Sequence, residues 1–157
     1  WVQADVQKQR EGSPIIDNFH VRMGRGRCRI ELSAGMLVPD SSLRYRVHGT
    51  NGSWIKHHVD PQEDQLRHLG IGPDDDRYGW EEDSHLGALT ELVDGQMQTS
   101  RTAALRGDWP RLYRELSAAI RQGTPPPVLG EEARNVIAVI EAMLESSRTG
   151  CRVNVSG

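Results

Sequence analysis

Apolar and polar residues alternate along the first stretches of the chain. Val2, Ala4 and Val6 alternate with Gln3, Asp5 and Gln7, the period-two pattern of a half-buried strand. Phe19, Val21 and Met23 alternate with Asn18, His20 and Arg22, and after GRGR the alternation resumes through Cys28, Ile30 and Leu32. This predicts a hairpin in which Gly24 and Gly26 supply a permissive backbone. Leu43, Tyr45 and Val47 alternate with Arg44, Arg46 and His48, then Asn51-Gly52 signals a second hairpin returning through SWIKH. A third is predicted around Asp94-Gly95. Each strand has a polar face, which favours antiparallel pairing.

The period changes in the last third. Trp109, Leu112, Tyr113, Leu116 and Ile120 recur at helical spacing, with Asp108 as a cap and Gly123 as a stop. TPPPV reads as an extended linker. A second helix is predicted from about Glu131 to Ser147, with acids in its first turn, Arg148 near its end and Gly150 after it. CRVNV reads as a short closing strand. Strands followed by helices predict an α+β fold: a largely antiparallel open sheet with helices packed on one face. The other face is left to solvent, to another domain or to a second copy.

Length and composition fit one soluble domain over residues 1–157: hydrophobic residues are 36% and charged residues 26%. The formal net charge is −3, from Lys+Arg 19 and Asp+Glu 22, so nothing points to nucleic acid or an anionic membrane. No apolar run reaches the length of a membrane span, and no signal peptide is visible, which fits the cytoplasm. Cys28 and Cys151 read as reduced thiols, and no CxxC pair suggests structural zinc. The chain begins on Trp1, which suggests a preceding segment.

The densest chemistry lies in HGTNGSWIKHHVDPQEDQLRH, with four histidines among Asp60, Glu63 and Asp64. DPQE fits a helix start: Asp60 as N-cap, Pro61 in the first turn, Glu63 reaching back to the cap, and Gly70 as the stop. His57 and His58, adjacent at a strand end, would point to opposite faces. A metal site from either with Glu63 and His68 has little support, since no HExxH-like spacing is present. Lys56 is a candidate cation at the mouth of a cleft, weighed against a solvated strand residue. MGRGR lacks the third glycine and following helix of a dinucleotide fingerprint, and HGTNGS is no phosphate loop. The residues alone specify no reaction.

The same stretch resembles a signature of the glucose–fructose oxidoreductase / inositol dehydrogenase (Gfo/Idh/MocA) family. His48, Gly49, Thr50, Gly52, Ser53, Lys56, Asp60, Pro61, Gln62, Glu63 and Leu66 match it. GDWPRLYRELSAAIRQGTPPPV and EEARNVIAVIEAMLESSRTG are similar to two later helical segments of that family. The resemblance covers nearly the whole chain and implies the C-terminal α+β domain of a two-domain NAD(P)-dependent oxidoreductase acting on polyol, inositol or sugar hydroxyls. The nucleotide-binding Rossmann domain and the family's catalytic Lys segment have no counterpart here, so no catalytic or cofactor-binding residue carries over. The resemblance implies a homodimer formed through the open sheet face, and a fragment inactive by itself, with no cofactor of its own.

Two departures fall near the expected substrate side. The family's Tyr-Gly after the Lys is His57-His58 here, and its Trp-Gly before the acidic loop reads Tyr78-Gly79-Trp80. Lys56, His57 and His58 are therefore the candidate substrate-binding residues, with no metal ligand assigned. Two other readings compete: a non-catalytic oligomerisation module, and a metal-dependent hydrolase built on the histidine cluster.

Overall fold

The structure is a computed structural model that describes residues 1–39 and 43–155. It is α+β, and every strand pairing is antiparallel. The strands form two ladders, of three and four strands. The chain divides into two compact units, one from Trp1–Pro39 with Val128–Gly157 and the other from Asp40–Pro127. The second boundary falls at the end of TPPPV.

In the first unit, β1 (Val2–Gln7), β2 (Asn18–Arg25) and β3 (Cys28–Gly35) form a meander, and the helix Gly130–Thr149 packs on β1. The alternation becomes a core here: Val2, Val21 and Ala142 are buried, with Ala4, Phe19, Met23, Val139 and Met143 against them. β1 is an edge strand, and unpaired edge groups invite wrong partners. The helix covers that edge with hydroxyls. Ser146 Oγ accepts the Ala4 N–H at 3.0 Å and donates to the Cys151 carbonyl at 2.6 Å, while Ser147 Oγ accepts the Val6 N–H at 3.0 Å. Val153, in the predicted closing strand, makes a single two-way bridge to Val2. The helix ends at Gly150 with φ 67°, the left-handed stop its sequence predicts.

In the second unit, β4 (Leu43–His48), β5 (Gly52–His57), β6 (Ala88–Val93) and β7 (Gln96–Arg101) form the four-stranded meander. Asp94 and Gly95 turn β6 into β7 with φ of 51° and 78°, as the favoured two-residue hairpin turn requires. The second hairpin differs from expectation. Gly49, Thr50 and Asn51 make the connection and Gly52 opens β5, with a Gly49 N–H to Gly52 carbonyl bond of 2.9 Å. Neither Asn51 nor Gly52 has positive φ.

After β5 comes a short helix, α1 (Gln62–Asp64), continued by a π-helical turn (Gln65–Leu69) that stops at Gly70 with φ 66°. A 3₁₀ turn (Asp83–His85) precedes β6. Helix α2 (Pro110–Gln122) follows β7, and the helix of the first unit is α3. Asp108 caps α2 by accepting the Arg111 N–H at 3.1 Å. No residue of α2 is buried.

Candidate functional site

A cleft of about 410 Å³ opens in the second unit, walled by β4, β5, the segment after β5 and the start of α2. A β-bulge shapes its first wall. Leu43 pairs with His57 and Tyr45 with Lys56, so Arg44 is an extra residue. In a regular strand Arg44 and Tyr45 would face opposite ways; the bulge lets both line the cleft.

Lys56 also lines it, though not as a free cation. Its ammonium pairs with Glu81 and donates to the His85 carbonyl at 2.9 Å. The Lys56 and Glu81 side chains are 13% and 11% exposed, so Lys56 is not the solvated residue that strand alternation suggested. The pair ties β5 to the loop before β6. Sequence reasoning missed Glu81, which sits in the acid-rich stretch EED with nothing in its spacing to mark a partner.

His57 closes β5, is exposed, and does not line the cleft. His58 lies beyond the strand, so the opposite-faces expectation for the pair does not apply. Its φ is 66°, in the left-handed region that costs a non-glycine residue about 1 kcal/mol. Its ring stacks on His85 with centroids 3.9 Å apart and planes 24° apart. Among the described residues, no three His, Cys, Asp or Glu side chains converge as metal ligands.

The DPQEDQ stretch has an architectural role. Asp60 caps as expected, accepting the Gln62 N–H at 2.9 Å. Glu63 does not reach back to the cap and pairs with Arg67 one turn on. Gln62 is 1% exposed and fully used: its amide donates to both Asp60 oxygens at 2.8 and 2.9 Å, and its carbonyl accepts the Trp109 N–H at 2.8 Å. That bond places Trp109, at the head of α2, on the cleft wall. Gln65 works similarly, accepting the Gly79 N–H at 2.7 Å and donating to the Arg77 and Trp80 carbonyls. Gly79 has φ 79°, and a Cβ there would strike the Gly107 carbonyl; a Cβ on Gly107 would strike Gln62 and Asp60. Burial, and then the carboxylates of Asp60 and Asp108, push the neighbouring Tyr78 phenol up. Trp109 was legible only as an apolar helix position, and no spacing in the sequence marks it as a cleft residue.

MGRGR is the β2–β3 hairpin turn, and HGTNGS joins β4 to β5. Neither leads from a strand into a helix, so neither offers a pyrophosphate cradle.

A family model for the C-terminal alpha/beta domain of an oxidoreductase family, GFO_IDH_MocA_C, matches residues 2–155. The chain is 37% identical over 147 residues to scyllo-inositol 2-dehydrogenase (NADP(+)) IolW of Bacillus subtilis (strain 168), covering 94% of this chain and 41% of that protein. It is 32% identical over 145 residues to the uncharacterized oxidoreductase YdgJ of Escherichia coli (strain K12), covering 92% and 41%. Among solved structures, YvaA of Bacillus subtilis, described as an oxidoreductase, superposes with a TM-score of 0.90 at 36% identity, over 99% of this chain and 44% of that one. The chain thus spans about two fifths of the length of these two curated relatives, 41% of each.

Proposed function

The chain belongs to the Gfo/Idh/MocA oxidoreductase family through its C-terminal alpha/beta domain, and from that premise we propose that residues 1–157 are the substrate and dimerisation domain of a NAD(P)-dependent oxidoreductase. The whole protein would move a hydride between a nicotinamide cofactor and a polyol, inositol or sugar hydroxyl. The observation that carries this reading is the cleft, whose wall combines two aromatic residues, Tyr45 and Trp109, with Arg44 and His58. Aromatic faces beside polar groups suit a polyhydroxylated ring, which offers C–H faces and hydroxyl edges. Lys56, His57 and His58 are the proposed substrate-side residues: Lys56 and His58 from the cleft wall, His57 from the exposed strand end beside them.

The cofactor supplies the hydride chemistry when bound. No residue of this chain is assigned to it, since both glycine-rich stretches are hairpin connections. This chain's part is to bind and orient substrate, with the nucleotide-binding domain elsewhere in the protein and the whole acting in the cytoplasm. Residues 1–157 alone should neither bind NADPH at micromolar concentration nor oxidise inositols, while the longer protein should do both. Fluorescence titration with NADPH and a coupled assay on both forms test this. Micromolar binding by residues 1–157 would overturn the division of labour.

A homodimer through an open sheet face is part of the same proposal. Past the bulge, Tyr45 and Val47 share a face of β4 and are 49% and 55% exposed, apolar surface that a second subunit could cover.

A further inference from the structure

We infer that His58 sets the substrate specificity of the cleft: its imidazole, held against His85, narrows the cleft and offers a ring nitrogen to a hydroxyl of the bound polyol or sugar. This rests on the reading of the cleft as a substrate site and names a determinant within it.

The first ground is the backbone. At φ 66° glycine would sit without penalty, yet a histidine occupies the position. Strain held at one residue needs a compensating gain, and such residues gather at ligand sites. The second ground is what the ring does not do. His58 is exposed and belongs to no apolar core, so burial in a core is not the gain. The third is its setting. The ring rests on His85, whose carbonyl takes a hydrogen bond from Lys56, and Lys56 is paired with Glu81. His58 is thus buttressed from beneath by a residue anchored to β5.

The surrounding carboxylates are already engaged. Glu81 is paired with Lys56, Asp60 accepts from Gln62, and Glu63 is paired with Arg67. Among the described residues, neither nitrogen of His58 has a hydrogen-bond partner. An imidazole offers one donor and one acceptor when neutral, a match for a hydroxyl group.

The test uses the full-length protein with myo-inositol, scyllo-inositol, D-glucose and D-xylose, each with NAD+ and NADP+. His58→Gly removes the ring and relieves the backbone. His58→Asn removes the ring while tolerating the same φ. Both should raise KM for the best substrate about five-fold with little change in kcat, the signature of a lost binding contact. Both should also flatten the preference among the four substrates, without lowering Tm. Unchanged KM and an unchanged order of preference, in an active wild type, would overturn the role of His58 alone. A lowered Tm with unchanged preference would show the stack to be structural and also overturn it. A wild type that turns over none of the four would overturn the reading of the cleft, and this inference with it.

Discussion

Substituting Gln62 with Leu leaves the Trp109 N–H without its acceptor and Asp60 with only the backbone N–H of residue 62 as donor, in a place where Gln62 itself is 1% exposed. An unsatisfied buried group costs about 1–3 kcal/mol, so the urea midpoint of Gln62→Leu should fall by that equivalent. Lys56 makes a second case. Lys56→Met would leave Glu81 buried without its counter-charge and should lose about 3 kcal/mol, whereas Lys56→Met with Glu81→Leu should recover most of it. A double-mutant cycle in urea measures the coupling. A double variant as unstable as the single one would show that the two side chains do not form a closed pair. These residues also show where sequence reading stops. Lys56 was visible as a candidate, but its partner lies 25 positions away, and nothing in the spacing of EED singles out Glu81. Gln62 matched a family signature without a role, because its role depends on Gly107 and Trp109 arriving from 45 or more residues on.

The hairpins and both long helices were legible because their signals are local. Alternation sets the strands, and Asp94-Gly95 adopts the left-handed pair of angles that its chemistry favours. Asn51-Gly52 carries the same local preference and does not express it. There the close bond from Gly49 to Gly52 sets the connection, and a Cβ on Gly52 would press on the Thr90 carbonyl of β6. That glycine is needed for strand packing rather than for the turn. The short helix after Asp60 was legible from cap to stop, but not the π-helical turn in its second half. At the other end of the chain, Ser146 and Ser147 read as polar positions of a helix, and only pairing reveals them as cover for the edge of β1. Ser146→Ala removes an acceptor for Ala4 and a donor to Cys151 at a fully buried position. It should cost about 1–3 kcal/mol, read by thermal unfolding, while Ser147→Ala, with one such bond, should cost less.

At the scale of the molecule, acid stability should depend on a few carboxylates. Hydrogen bonds from Arg10 and from the Gln9 N–H hold the Asp17 carboxyl down, from 3.8 to about 2. Arg77 does the same for Asp75, also to about 2. A depressed value means that the folded state releases its proton at lower pH than the unfolded chain. The contribution is therefore complete above 3.8 and is lost as pH falls towards about 2. Asp17→Asn should flatten the pH dependence of the unfolding midpoint in that window and lower the midpoint above it. An unchanged slope would show that Asp17 has no such linkage. Assembly belongs to the same scale. Sedimentation of the full-length protein should show a dimer, and Val47→Glu on the exposed apolar face of β4 should shift it towards monomer. A wild type that remains monomeric at high concentration would remove the proposed interface.

The two buried glutamines have a consequence for hydrogen exchange. Amide protons in loops ordinarily trade with solvent quickly, since no ladder shields them. The N–H groups of Gly79 and Trp109 lie outside any strand, yet each is bonded to a buried side-chain carbonyl, at 2.7 and 2.8 Å. Their exchange should be as slow as that of paired strand amides in the same unit. In Gln65→Ala or Gln62→Ala, the corresponding signal should become fast while the strand amides stay protected. Two isolated slow amides would then serve as reporters of a junction whose integrity positions the head of α2.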